Sequence, residues 1–374
     1  MNFGFQIKLH GKYGKMNKLK FLSKFWKGKK VFLTGHTGFK GTWLSIFLNL
    51  LGAKVIGYSL KPCTKPSFYN LIKLNKNMHQ SIIGDIRDYN RLKNSIKKSS
   101  PDFVLHMAAQ SLVRESYFDP KYTYEVNTLG TINVLNILKE LNFIKSALII
   151  TTDKVYCNNN KKKYFKENDL LGGYDPYSNS KSCAELAVNS YTNSFFKEKN
   201  IHIATARAGN IIGGGDFAKD RIIPDYFRSF LKNKRLILRS PNSIRPWQHV
   251  IEPLYGYLLI LMKLHKKQIE TGSHFNFGPK RSSNKSVNKV VNLLNNNFDN
   301  FVKIIKQKNG LKNYKESKVL ILNSSKSKKI LKWNSQYNLE KSINLTSSWF
   351  QQYINKKDKN ILKVTQDQIS KYFN

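Results

Sequence analysis

Tyr177 and Lys181 lie four residues apart in Tyr177-Ser178-Asn179-Ser180-Lys181, opening a segment that continues through Ala184, Leu186 and Ala187 as a helix. That spacing puts the phenol and the ammonium on one helix face. A tyrosine of ordinary pKa, about 10, is a poor base at neutral pH, but a neighbouring ammonium and a positive nicotinamide ring stabilise its phenolate. Tyr177 is therefore a candidate base for a sugar hydroxyl, with Lys181 lowering its pKa and holding a cofactor ribose. A second group, Thr152-Asp153-Lys154, follows the apolar run Ala147 to Thr151. There Thr152 is placed to hydrogen-bond the hydroxyl that Tyr177 deprotonates, and Asp153 and Lys154 add an acid and a base beyond hydride transfer. The structural alternatives are a solvated helix face for the first pair and a polar strand end capping a turn for the second.

These groups need a scaffold that gathers them at one edge, and the first half of the chain reads as one. Lys30 to Leu33, Ala53 to Tyr58, Val104 to Met107 and Ala147 to Thr151 read as strands. Thr42 to Leu51 and the periodic stretch Thr123 to Leu141 read as helices. Strands alternating with helices predict an α/β fold, a Rossmann-type doubly wound parallel sheet with a smaller C-terminal substrate-binding domain. Between the first strand and helix lies Thr34-Gly35-His36-Thr37-Gly38-Phe39-Lys40-Gly41, a GxxGxxG loop in strand-turn-helix context. Gly35 suits the tight turn, Gly38 the approach of backbone N–H groups to a pyrophosphate, and Gly41 close helix packing. Thr37 and Phe39 belong to the same cofactor loop. The acidic residue that ordinarily ends the second strand and holds the ribose is absent, since the chain reads Gly57-Tyr58-Ser59 and its first acid is Asp85. This leaves NAD against NADP open, with Lys61 the nearest cation for a 2′-phosphate. Asp85 and the adjacent Ile86 are candidates to read an adenine edge, the alternative for Asp85 being a helix cap or turn acid.

Composition bounds the rest. Sixty-four basic residues against 23 acidic ones give a net charge of +41, yet only ten are arginine and the lysines are spread from end to end. A specific nucleic-acid binder would favour clustered arginine, so the excess is read as compositional drift, with no nucleic acid as partner. Anionic ligands should still be attracted, and less so in salt. Three cysteines, Cys63, Cys157 and Cys183, without C-x-x-C spacing, imply no metal site and a reducing, cytoplasmic location. No apolar run of about 18 residues spans a membrane. Residues 1 to 27 are expected to be a basic extension, either a targeting segment or the product of an upstream start with Met16 as the working one. The NAD domain is expected over 28 to 205 and the substrate domain over 206 to 374. Amphipathic helices are read near Val287 to Leu294 and Leu339 to Tyr353, with a solvated tail from about 355.

The chain resembles the extended short-chain dehydrogenase/reductases, and within them the CDP-glucose branch of the nucleotide-sugar 4,6-dehydratases. The resemblance rests on the glycine loop, Gly84-Asp85-Ile86-Arg87-Asp88, His106-Met107-Ala108-Ala109-Gln110, Thr152-Asp153-Lys154, Gly172 to Tyr177, Ala206-Arg207-Ala208-Gly209-Asn210, Gly213-Gly214-Gly215-Asp216 and Arg245-Pro246-Trp247-Gln248-His249-Val250. It implies NAD as cofactor and CDP-glucose as substrate, oxidised at C4 by loss of a proton to Tyr177 and of hydride to NAD. Lys154 is then the base at C5 and Asp153 the acid at the C6 oxygen. By the same carry-over Ala108, Ala109 and Gln110 line the cofactor, Gln110 and Asn127 flank the sugar, and Asn210 and Arg245 meet the diphosphate. Asn127 has the alternative of capping local backbone, and Arg245 that of pairing within its own domain. A homodimer or higher oligomer is implied, formed through the helix that carries Tyr177 and the one before it. The competing readings are a nucleotide-sugar 4-epimerase, a dehydratase for dTDP-, UDP- or GDP-sugars, a non-catalytic nucleic-acid-associated protein and a nucleotide sensor. Epimerisation needs no acid at C6 and no base at C5, so Asp153 and Lys154 favour elimination.

Overall fold

The structure is a computed structural model and describes residues 18–158, 163–199, 201–299, 301–306, 319–355 and 360–374. Its centre is a seven-stranded sheet of β1 (Lys30–Thr34), β2 (Lys54–Ser59), β3 (Gln80–Ile83), β4 (Phe103–His106), β5 (Ser146–Ile150), β6 (His202–Ala208) and β7 (Ser273–Phe277). Every pairing is parallel and the order is β7-β6-β5-β4-β1-β2-β3. The order reverses at β1, so a crevice opens between the carboxyl ends of β1 and β4, where open α/β sheets bind ligands. The expected doubly wound sheet is thus present. β3, β6 and β7 were not legible as strands: β3 is a short edge, and β6 carries Thr205 and Arg207 among its alanines.

Helices cover both faces, which is why β4 and β5 are buried at every position and read as unbroken apolar runs. Alternation assigns Val31, Leu33, Leu105, Leu148 and Ile150 to one face and Phe32, Val104, Ala147 and Ile149 to the other. In chain order the helices that matter are α1 (Lys18–Trp26), α2 (Phe39–Leu50), α3 (Tyr89–Ser99), α4 (Gly130–Glu140), α5 (Pro176–Tyr191), α6 (Ile222–Leu231), α7 (Ile251–His265), α8 (Val287–Asn296), α9 (Leu339–Asn355) and α10 (Ile361–Lys371). The periodic stretch expected from Thr123 is not uniform, because a π-helical turn over Glu125–Leu129 precedes α4.

Both ends differ from expectation. Residues 1–17 of the anticipated extension lie outside the described residues, but its remainder forms α1, whose Trp26 is fully buried with its ring 5.0 Å from that of Phe103. The segment read as a solvated tail contains α10, which buries Ile361, Thr365 and Ile369, and Tyr372 and Phe373 are buried directly after it. Its average composition is polar, yet the buried residues recur at helical spacing and make one packed face. Tyr372 closes this end of the molecule by donating its hydroxyl to Glu252 Oε2 at 2.6 Å, while Glu252 Oε1 accepts from Gln336 N at 2.8 Å and Tyr337 N at 2.7 Å.

Burial pushes the Glu252 carboxyl up from 4.5 to about 7, its three donors only partly offsetting the loss of water. A folded-state pKa above the unfolded one stabilises the fold fully below the unfolded value and is lost as pH rises through the folded one. The melting temperature should therefore fall as pH rises from 4.5 through about 7, and Glu252→Gln should flatten that slope. An unchanged slope in the variant would assign the dependence to another group.

Candidate active site

β1 delivers the glycine loop to the crevice. Gly35 has φ +80°, and a Cβ there would lie 2.8 Å from Ala108 N. At Gly41 a Cβ would lie 2.1 Å from Gly35 O, so only glycine lets α2 begin this close to the turn. Gly38 caps α2 without a side-chain hydrogen bond, leaving the first N–H groups of the helix to a ligand. Thr34 Oγ1 accepts from Met107 N at 3.0 Å and Ala108 N at 3.1 Å and lies 2.8 Å from His106 Nδ1, tying the ends of β1 and β4 together. Thr37 Oγ1 donates to Leu60 O at 2.9 Å and so holds the end of β2. This cradle fits a dinucleotide pyrophosphate.

His36 is buried, its Nε2 2.8 Å from Ser81 Oγ and its Nδ1 without a partner. Burial lowers its pKa to about 4, so it is neutral at physiological pH. Its ring fills the space above Gly57, where a Cβ would lie 2.3 Å from the imidazole. Lys40 points the other way, into the fields of Arg221 and Asp153, with its pKa lowered by burial to about 8.

Asp85 is first a partner of Arg87: Oδ2 accepts from Nη2 at 2.8 Å and Nε at 3.0 Å, and Oδ1 from the Arg87 amide at 2.9 Å. Burial would raise its pKa, but these bonds hold it below the usual range. The adjoining Ile86 is buried, packed where a Cβ on Gly130 would lie.

After β4 the chain runs through Ala108 and Ala109 to Gln110. The Gln110 side chain is spent on its own loop, donating to Thr123 Oγ1 at 2.9 Å and Leu112 O at 3.1 Å and accepting from Leu112 N at 2.6 Å. Asn127, on the π-helical turn, is fully buried. Its Oδ1 accepts from Gln110 N at 2.9 Å, and its Nδ2 donates to Gln110 O and Ser180 Oγ, both at 3.0 Å. Asn127 thus clamps the β4 loop to α5.

Helix α5 starts at Pro176 because Asp175 caps it, its carboxylate accepting from Ser178 N at 2.9 Å. It is anchored from behind by a fully buried ion pair, with Glu185 accepting from Arg207 at 2.8 and 3.0 Å and from Thr151 and Thr205 hydroxyls. Burial alone would raise the Glu185 pKa, and Arg207 with His274 instead holds it far below the usual range.

This fixed helix presents Tyr177 and Lys181 to the end of β5. Thr152 caps the short turn Asp153–Val155, and its Oγ1 donates to Asp153 Oδ1 at 3.1 Å. Asp153 is 3% exposed, and its Oδ2 has no protein partner. Burial raises its pKa against the pull of Lys154, Thr152 and Arg245. The same burial pushes Tyr177 up to about 12, with Thr152 and Arg221 lowering it and Asp153 raising it. Lys181 donates to Ile150 O at 3.2 Å and falls to about 7, through burial and then the charge of Lys40.

From the second half come Asn210, half-buried with its carbonyl accepting from Gln248 N, and Arg245, buried on the short strand Ile244–Pro246 with Nη1 donating to Ile244 O. Sequence reasoning missed Arg221, which donates to Ser111 Oγ at 2.9 Å, pairs with Asp216 at 3.1 Å and is the cation whose field lowers Tyr177. The only signal was an arginine just before α6. Among the described residues no group of three or more His, Cys, Asp or Glu side chains is placed to hold a metal ion, and no helix is long and apolar enough to cross a membrane.

The sequence pattern of the family described as GDP-mannose 4,6 dehydratase matches residues 32–346. The CDP-glucose 4,6-dehydratase of Salmonella typhimurium strain LT2 is 43% identical over 353 residues, spanning 93% of this chain and 97% of that protein. The fold is similar to that of the dTDP-glucose 4,6-dehydratase of Bacillus anthracis strain Ames in complex with NAD, at a TM-score of 0.72 and 21% identity, covering 87% of this chain and 97% of that one. The UDP-glucose 4-epimerase of Thermotoga maritima, solved with UDP-glucose, gives a TM-score of 0.76 at 20% identity, covering 87% and 99%. Both solved structures speak to the fold alone.

Removing the Asn127 clamp tests its assigned role. Asn127→Ala should cost about 2–3 kcal/mol of stability, because it orphans buried groups of Gln110 and Ser180. The rate should drop while the dissociation constant for nucleotide sugar stays within about twofold. A large loss of sugar affinity at unchanged stability would restore Asn127 to the substrate wall.

Proposed function

We propose, from the premise that this chain belongs to the GDP-mannose 4,6 dehydratase family, that it is an NAD-dependent hydro-lyase converting CDP-glucose to CDP-4-keto-6-deoxyglucose. The observation that carries this reading is the buried Asp153, its carboxyl pushed up by burial, beside Lys154 and hydrogen-bonded by Thr152. NAD, when bound, accepts hydride from C4 and returns it to C6.

The chain's own residues do the rest. Gly35, Thr37, Gly38, Phe39 and Gly41 hold the pyrophosphate, with Ala108, Ala109 and Lys181 bordering the nicotinamide side. Tyr177 Oη takes the proton of the C4 hydroxyl, with Arg221 and the positive ring of bound coenzyme opposing the burial that raises its pKa. The keto group acidifies C5, Lys154 Nζ removes that proton, and Asp153 gives its own to the C6 oxygen so that water leaves. Lys154 then returns a proton to C5. Asn210 and Arg245 meet the diphosphate, with Arg245 offering a guanidinium fork.

The cytidine preference is supported by the relative that is 43% identical. Pairing of two copies is supported by Leu129 and Leu186, 54% and 56% exposed beside α4 and on α5. The division into an NAD-holding part, 28–205, and a sugar-nucleotide part, 206–374, is supported by β1 to β5 and the glycine loop lying in the first; the boundary falls inside β6, and β7 returns to the sheet from the second. A cytoplasmic place in deoxysugar synthesis for a surface polysaccharide completes the reading.

Incubation with CDP-, dTDP- and UDP-glucose, with product followed by its alkaline absorbance, should give the 4-keto-6-deoxy sugar most efficiently from CDP-glucose. Tyr177→Phe should lower turnover by about 10²–10⁴-fold while retaining NAD binding. Asp153→Asn should oxidise C4 but stall, so that keto-hexose and reduced coenzyme accumulate on the protein. Normal turnover by both Asp153→Asn and Lys154→Ala, or simple inversion at C4, would defeat the assignment.

A further inference from the structure

A pyrophosphate on the glycine loop divides the coenzyme into two halves. Tyr177 and Lys181, on α5, mark the nicotinamide side. The strands run in the order β5-β4-β1-β2, so the adenosine falls on the other side of the loop, over the carboxyl end of β2. A carboxylate ordinarily holds the ribose at that strand end. Here the strand finishes on Ser59.

Ser59 is not free to turn either way. Its Oγ lies 2.9 Å from Oγ1 of Thr37 in the glycine loop, and both residues are buried. Thr37 Oγ1 spends its single proton on Leu60 O, also at 2.9 Å. It has none left for its neighbour, so Ser59 is the donor of the pair. The Ser59 oxygen is then left with its proton turned towards Thr37 and with lone pairs unused, since among the described residues nothing donates to it. A ribose hydroxyl brings its own proton and needs such an acceptor.

The acceptor differs from the usual one in charge. The first acid of the chain, Asp85, is occupied by the Arg87 guanidinium at 2.8 and 3.0 Å, and Lys61, two residues beyond Ser59, is exposed. A carboxylate at position 59 would repel a phosphate on the ribose 2′ oxygen, whereas a hydroxyl has no charge to repel it.

We propose that Ser59 holds the adenosine ribose as an uncharged acceptor, set in that role by Thr37 and Leu60, and that the site for this reason admits the 2′-phosphorylated coenzyme NADP as well as NAD. This inference rests on the NAD-dependent reading above and adds the residue that decides between the two coenzymes.

Coenzyme binding tests it without turnover. Calorimetric titration of the coenzyme-free protein should give dissociation constants for NAD and NADP within about tenfold of each other. Ser59→Asp, which supplies the missing charge, should widen that gap to about 100-fold by weakening NADP. Ser59→Ala should weaken NAD by about fivefold. Analogues of NAD lacking the adenosine 2′ or 3′ hydroxyl separate a direct contact from a disturbed loop. One of them should bind the natural protein about fivefold more weakly than NAD, and Ser59→Ala should bind that analogue and NAD alike. Binding of NAD more than about tenfold tighter than NADP by the natural protein would overturn the inference and leave NAD as coenzyme. So would an analogue that loses as much affinity in Ser59→Ala as in the natural protein. If Ser59→Ala does not fold, both analogues binding the natural protein as tightly as NAD would overturn it equally. Failure of the natural protein to bind either coenzyme would overturn the NAD-dependent reading together with the role of Ser59.

Discussion

A carboxylic acid kept out of water at the end of β5 is the constraint on which the site depends. Ionised Asp153 would have to recover in protein contacts what it loses in hydration, and its surroundings offer a single hydroxyl bond and the fields of Lys154 and Arg245. Burial therefore shifts the carboxyl in the direction an acid needs. The same exclusion of water acts oppositely on the cations nearby, since Lys40 and Lys181 are both shifted down towards neutrality. One physical cause thus sets acid and base character across groups drawn from β5, α5 and the glycine loop. The scaffold's task is to keep these groups dry and in register.

The scaffold does this by joining elements through buried polar contacts. Thr34 links β1 to β4, Asn127 links the β4 loop to α5, and the Glu185–Arg207 pair fixes α5 against β5 and β6. Each is costly to leave half made, because an unpaired member would be stranded away from water. Such contacts specify where the helices stop sliding, which an apolar interface alone does loosely. The large positive charge of the chain plays little part in this geometry. It raises the concentration of anionic sugar nucleotides near the crevice, an effect that salt screens.

Much of this arrangement could be read from residue order alone. The glycine loop sits between an apolar strand and a helix, Asp175-Pro176 announces the start of α5, and the strands β4 and β5 are apolar runs with few rivals. What escaped the reading shares a different character. Gln110 and Asn127 look like ligand contacts by type, but whether a polar side chain faces a cavity or its own backbone depends on a π-helical turn that periodicity does not reveal. Arg221 reaches the site from a loop whose course is set by Asp216 and Ser111, residues distant from one another in sequence. Helix α10 was masked by its composition, since a single packed face needs only every third or fourth residue to be apolar.

Helix α10 also bears on how the molecule is made. Phe373 rests its ring 5.5 Å from that of Phe47 on α2, and Tyr372 completes the acceptor set of Glu252 on α7. The outer surface of the helix that follows the glycine loop is thus finished by residues far from it in sequence. Without them α2 would expose aromatic surface and α7 would hold a carboxyl short of one donor. The cofactor half is sealed by a long-range closure that slows folding and invites chaperone capture.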